Sequence, residues 1–202
     1  MIAFISLRGD HKLFWKLAIA YMLIVCGTEI SGRYIARIMH QPNGWLYNIF
    51  LVVQIGFLHV ALFKFISKYS GYAKAISLAS VGLLALIYLS EIFYWRTSGF
   101  YITTYKIFSV NAILLSLFFF YVFIKQKEYV ILKHDAEFWF VTGILFFFFG
   151  GTVMNFLYNV LIVPITPDKT IKSYINNVLI ILLYGFWSYS FICRHRVAKL
   201  HT

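Results

Sequence analysis

Six apolar stretches of about twenty residues fill nearly all of this 202-residue chain. A bilayer core takes roughly 20 helical residues to cross. Helix is the state such stretches must adopt there, because an open sheet leaves unpaired backbone groups in hydrocarbon. The stretches lie near residues 15–35, 45–66, 75–95, 107–124, 138–163 and 174–193. Each is too long and too apolar for an ordinary amphipathic helix of a soluble domain. The expected fold is therefore all-α: a polytopic membrane helix bundle of about six transmembrane helices, forming a single domain over residues 1–202.

Composition agrees. Charged residues make up 12% of the chain, about half the share in soluble proteins. The 22 Phe and 15 Tyr suit lipid-facing and interfacial positions. A net charge of +11 raises the question of nucleic acid. The Lys and Arg sit in short connections, however, where they orient the protein and touch anionic headgroups, and no basic domain exists to hold a polynucleotide. Cys26 and Cys193 fall in the first and last stretches, without C-x-x-C or Cys/His spacing, so neither a disulfide framework nor a metal is expected. Arg8, Lys12 and Lys16 before Leu23-Ile24-Val25-Cys26 look somewhat like a lipoprotein signal. The bulky Val25 opposes cleavage, and the segment is expected to stay as a helix. The short apolar run at residues 1–7 is either the remnant of a further span or a sign that the start codon lies upstream.

The connections carry turn chemistry. Gln41-Pro42-Asn43-Gly44 is a turn, Gly71 lies in the second connection, and Pro164 and Pro167 bracket the last. Orientation follows from the 18 Lys and Arg. Twelve fall on one side: Arg8, Lys12, Lys16, Lys64, Lys68, Lys74, Lys125, Lys127, Lys133, Arg194, Arg196 and Lys199. The other six are Arg33, Arg37, Arg96, Lys106, Lys169 and Lys172. Both termini are thus expected to be cytoplasmic, in a multi-pass protein of the cell inner membrane. A seventh, upstream span moves only the N-terminus.

Polar residues inside spans are the candidate site, since they are expensive there and face other helices or water. Glu29 is the one carboxylate well inside a stretch, and Arg33 shares its face at i+4. The two form either an internal ion pair that locks the helix or a ligand or proton site. Asn48 and His59, eleven residues apart, stack on one face of the second span, with Gln54 a third of a turn away. The other histidines lie in loops or ends, which disfavours haem held between helices. Ser77, Ser80, Tyr88 and Glu91 form a stripe on the third span. Gly151, Asn155 and Asn159 do so on the fifth, and Asn177, Tyr184 and Ser188 on the sixth. Such stripes are the usual glue between membrane helices. The alternative is a polar cavity in the outer half, lined by Glu29, Glu91 and some of the amides.

Catalytic patterns are mostly absent: no G-x-S-x-G, no H-E-x-x-H, no Gly-rich phosphate loop, and no nucleophile–base pair legible at depth. Arg196-x4-His201 matches the bare pattern of HEPN-type ribonucleases at a basic tail. No enzyme activity and no cofactor are expected. An inverted repeat and paired broken helices, the usual marks of a transporter, do not stand out.

The run Phe138-Trp139-Phe140-Val141-Thr142-Gly143-Ile144-Leu145-Phe146-Phe147-Phe148-Phe149-Gly150, with Thr28-Glu29 and Trp45-Leu46-Tyr47-Asn48, resembles a family of small, uncharacterised polytopic integral membrane proteins common in Bacteroidota. These are similar to the membrane halves of sensor kinases and are encoded near signalling genes. The resemblance implies a sensory or partner-binding role. It maps the family's first-span Glu onto Glu29. The frequent second-span Glu falls at Gln54, and a fifth-span aromatic hydroxyl at Phe147, departures that weaken a carboxylate-based site. Three functions stay open. The first is a module that senses a small or lipid ligand or anchors a cytoplasmic signalling protein at its basic face. The second is a small transporter or homo-oligomeric channel, and the third is an accessory of a defence or nuclease system.

Overall fold

Apolar runs this long satisfy their backbone only by coiling, and the regular elements among the described residues are all helices, with no strand. The structure is a computed structural model that describes residues 6–7, 12–95, 99–126, 132–157 and 169–199. In chain order the helices are α1 (Leu13–Arg37), α2 (Gly44–Ile66), α3 (Ala73–Trp95), α4 (Ile102–Lys125), α5 (Ala136–Leu157) and α6 (Lys169–Lys199). A 3-10 turn, Leu132–His134, precedes α5. All six helices are long and apolar enough to span a membrane. Phe93 is 89% exposed and Ile124 79%. Side chains this apolar and this open are solvated by lipid, and the chain is a multi-pass membrane protein.

Two boundaries differ from the sequence expectation in an informative way. The helix α4 begins at Ile102, not near 107, because its polar first turn is capped by a side chain from α3 (below). Hydropathy marks the membrane, not the helix, and so it missed Thr103, Thr104 and Lys106. The helix α6 likewise outruns its apolar window at both ends, continuing through Arg194 and Arg196. Residues 158–163, the end expected for the fifth span, lie outside the described residues, as do residues 1–5 of the N-terminal run.

The chain divides within α4 into two compact units, Ala3–Phe108 and Ser109–Thr202. In the first, α1 buries Phe14, Trp15, Ala18 and Tyr21, an i, i+1, i+4, i+7 stripe. Tyr21 stacks on Phe57 at 4.0 Å, and Phe14 meets Phe65 edge-on at 5.1 Å, so aromatic faces join α1 to α2. The turn after α1 uses His40 at φ +52°, a left-handed residue that reverses the chain before Pro42. Asn43 Nδ2 then donates to Gly32 O at 3.1 Å, tying the turn back onto α1.

In the second unit α5 and α6 form an antiparallel hairpin. Trp187 Nε1 donates to Phe140 O (3.0 Å), Ser190 Oγ to Ala136 O (2.5 Å), and Cys193 Sγ to Lys133 O (3.5 Å). Each three-residue step along α6 is matched by a three- or four-residue step back through α5 and into the 3-10 turn that precedes it. Gly143 permits this approach: a Cβ there would lie 3.0 Å from Trp187 Cδ1 and 3.1 Å from Phe186 Cβ. Trp187 stacks on Phe140 at 4.5 Å and 4°, which completes the contact.

Candidate functional site

The donors at a helix start need acceptors, and α4 finds them on two other helices. Its first helical residue is Ile102, so Tyr101 holds the N-cap position and has no capping oxygen to offer. Glu91, one turn from the end of α3, supplies one. Its Oε1 accepts from Thr103 N at 2.9 Å, and its Oε2 accepts from Thr104 N at 2.9 Å and Thr104 Oγ at 2.6 Å. Asn48 on α2 completes the clasp. Its Oδ1 accepts from Tyr101 N at 2.9 Å while its Nδ2 donates to Gly99 O at 2.8 Å. Tyr88 Oη donates to Asn48 O at 3.2 Å, and its ring meets Tyr101 edge-on at 5.2 Å.

Backbone shape makes this fit. The start of α2 comes so close to the 99–100 segment that a Cβ on Gly44 would lie 3.1 Å from Gly99 C and Phe100 N. Asn48, Glu91, Tyr101 and Thr104 are all buried. A carboxylate facing three donors at a positive helix end is a favourable electrostatic arrangement, since anions are stabilised there. Chemically the clasp is closed: donors and acceptors consume one another.

A second polar contact lies deeper on the same two helices. His59 Nε2 is 2.7 Å from Ser80 Oγ, and His59 Nδ1 is 2.8 Å from Ile55 O. A carbonyl only accepts, so Nδ1 carries the hydrogen, and in the neutral ring Nε2 accepts from the serine hydroxyl. No nucleophile–base pair was legible at depth in the sequence, and this is one in geometry. The signal was present: His59 stands seven residues before the end of α2 and Ser80 seven after the start of α3, so a hairpin puts them at one depth. Both side chains are buried, at 4% and 7% exposure, which fits an interhelical fastener.

The remaining sequence candidates disperse. Glu29 and Arg33 are exposed on α1, and among the described residues they form no ion pair with each other. Among the described residues Glu91 is a buried carboxylate, whereas Glu29 is exposed. Between Glu29 and Arg33 the Tyr47 hydroxyl lies over Gly32, where a Cβ would be 2.7 Å away. In the second unit Asn155 Nδ2 donates to Gly151 O of its own helix at 2.9 Å, and Asn177 is exposed. Asn159 lies outside the described residues, as does His201 of the tail pattern. Among the described residues no three His, Cys, Asp or Glu side chains gather as a metal site would require. No family model, no curated protein and no solved structure matches the chain.

Proposed function

We propose that this chain is a non-enzymatic module of the inner membrane, with both termini in the cytoplasm, that anchors a signalling protein at its basic face. The observation that supports it is that the polar side chains of the Glu91–Asn48 clasp and of the His59–Ser80 contact are buried and bonded to groups of the protein itself. Between the Glu91–Asn48 clasp and the His59–Ser80 pair stand the buried Leu51 and Leu58 on α2 and Leu84 on α3, with Gln54 half-buried among them. Asn48 and His59 stand roughly 16 Å apart along the helix axis. A transporter or channel needs a continuous polar path, and a rigid anchor does not. The partner's face is the basic turn after α2, where Lys64, Lys68 and Lys74 gather, with Lys64 Nζ 5.2 Å above the Phe14 ring. Rigid, like-charged surfaces of this kind favour acidic partners.

The test is affinity purification of the tagged protein from its native membrane in mild detergent, with mass spectrometry of what accompanies it. A stoichiometric soluble regulator, lost on combined Lys68→Glu and Lys74→Glu substitution, supports anchoring. A clean homo-oligomer that passes solute in proteoliposomes overturns it in favour of transport.

A further inference from the structure

A groove of about 700 Å³ runs along α6 in the second unit, within the size range of small-molecule sites, roughly 300–1,000 Å³. Its floor is Ile181, Leu182, Gly185 and Phe186, the i, i+1, i+4, i+5 stripe of one helix face. Gly185 keeps the floor low, since a Cβ there would meet nothing within 4 Å. Trp139 of α5 forms a wall, stacked on Phe186 at 5.8 Å and set edge-on to Tyr189 at 5.0 Å. Its Nε1 is buried and has no hydrogen-bond partner, so this wall lacks an acceptor.

One end of the groove is cationic. Lys133 lines it and is exposed. The main chain of Lys133 is pinned there, because its carbonyl accepts from Tyr189 Oη at 3.2 Å and Cys193 Sγ at 3.5 Å. Among the described residues no carboxylate lines the groove. Asp135, the nearest in sequence, is turned to capping, with Oδ1 accepting from Phe138 N at 2.6 Å. The groove is thus apolar along its length, positive at its mouth and flanked by an aromatic pair of the kind that sits at headgroup level.

We propose that this groove seats one acyl chain of an anionic phospholipid, with the lipid phosphate on Lys133. Charge selects the occupant: a zwitterionic lipid brings its own cation to the mouth, whereas an anionic one compensates the ammonium. Anionic lipids are enriched in the cytoplasmic leaflet. The inference rests on the proposed orientation only for that leaflet, and lipid retention is read independently of any protein partner.

Native mass spectrometry of the delipidated protein, titrated with phosphatidylglycerol or phosphatidylcholine of identical chains, tests it. The expected result is one tightly held phosphatidylglycerol and weaker phosphatidylcholine. Lys133→Gln, a change at an exposed side chain, is expected to cut the preference by roughly fivefold, the factor for one Lys at an anionic surface. Gly185→Leu, which fills the floor, is expected to abolish retention of both lipids. Equal retention of the two lipids by the unmodified protein overturns the proposal. So does undiminished binding in Gly185→Leu, or a protein dimer whose formation Gly185→Leu alone prevents. An unfolding midpoint for each variant identifies one that fails to fold, and the preference lost in Lys133→Gln then decides.

Discussion

Glu91 shows what a single side chain does in this bundle. It replaces the missing N-cap of α4 and sets where that helix begins. Glu91→Gln keeps the shape but turns an amide NH2 toward backbone donors, so it removes at least one charge-assisted bond, each worth about 1.5–3 kcal/mol. Thermal unfolding in detergent is expected to show a clear drop in midpoint, and an unchanged midpoint contradicts the capping role. Glu29 and Arg33 behave oppositely. Exposed and unjoined, they are expected to give additive effects in a cycle of Glu29→Gln and Arg33→Gln, with coupling under about 0.5 kcal/mol. The sequence could rank these carboxylates only by distance from the span ends. That measure chose Glu29, because it holds no information on which face of a helix meets a neighbour or on which donors lack a partner.

At the scale of the element, helix existence was legible and helix ends were not. The length of an apolar run reports hydrocarbon thickness, so α4 and α6 extend past it on caps and basic residues. The α3 stripe was legible in part: of Ser77, Ser80, Tyr88 and Glu91, Ser80 and Glu91 are buried and Ser77 and Tyr88 half-buried. Partners across a hairpin were recoverable by counting outward from the turn, as His59 and Ser80 show. The α5–α6 fasteners follow the same symmetry, but Trp187, Ser190 and Cys193 donate to main-chain carbonyls, which carry no sequence signal. Gly143 and Gly150 separate two kinds of close approach. A Cβ at Gly150 would press 2.6 Å on Leu179 Cδ2, the free end of a side chain that can rotate. At Gly143 it meets Trp187, fixed by its bond to Phe140 O. Gly143→Ala is therefore expected to destabilise by about 1–3 kcal/mol, the usual overpacking cost. Gly150→Ala should stay near neutral, and unfolding midpoints of the two variants compare them directly. Equal losses would mean that Trp187 is not held as described.

The whole molecule carries six helices long and apolar enough to span a membrane, and in its first unit the buried polar groups of the clasp and of the His59–Ser80 contact bond within the protein. The anchoring proposal rests on those internal bonds. In the first unit the clasp closes the end where α3 meets α4, while the turn that carries Lys68 lies at the opposite end of α2 and α3. Fold class and span count were readable from hydropathy alone, whereas activity was not, because the catalytic patterns sought do not occur in the sequence and the His59–Ser80 contact appears only once the helices are paired. All of the proposed roles depend on which end faces the cytoplasm. Single cysteines at Pro42, Gly71 and Gln126, in a background with Cys26 and Cys193 replaced, report this through a membrane-impermeant maleimide applied to intact cells. The account predicts labelling at position 42 alone, with positions 71 and 126 reacting only after the membrane is opened. Labelling of 42 and 71 from the same side would contradict the six-span arrangement, and labelling of 71 and 126 but not 42 would invert the orientation on which the partner and lipid assignments stand.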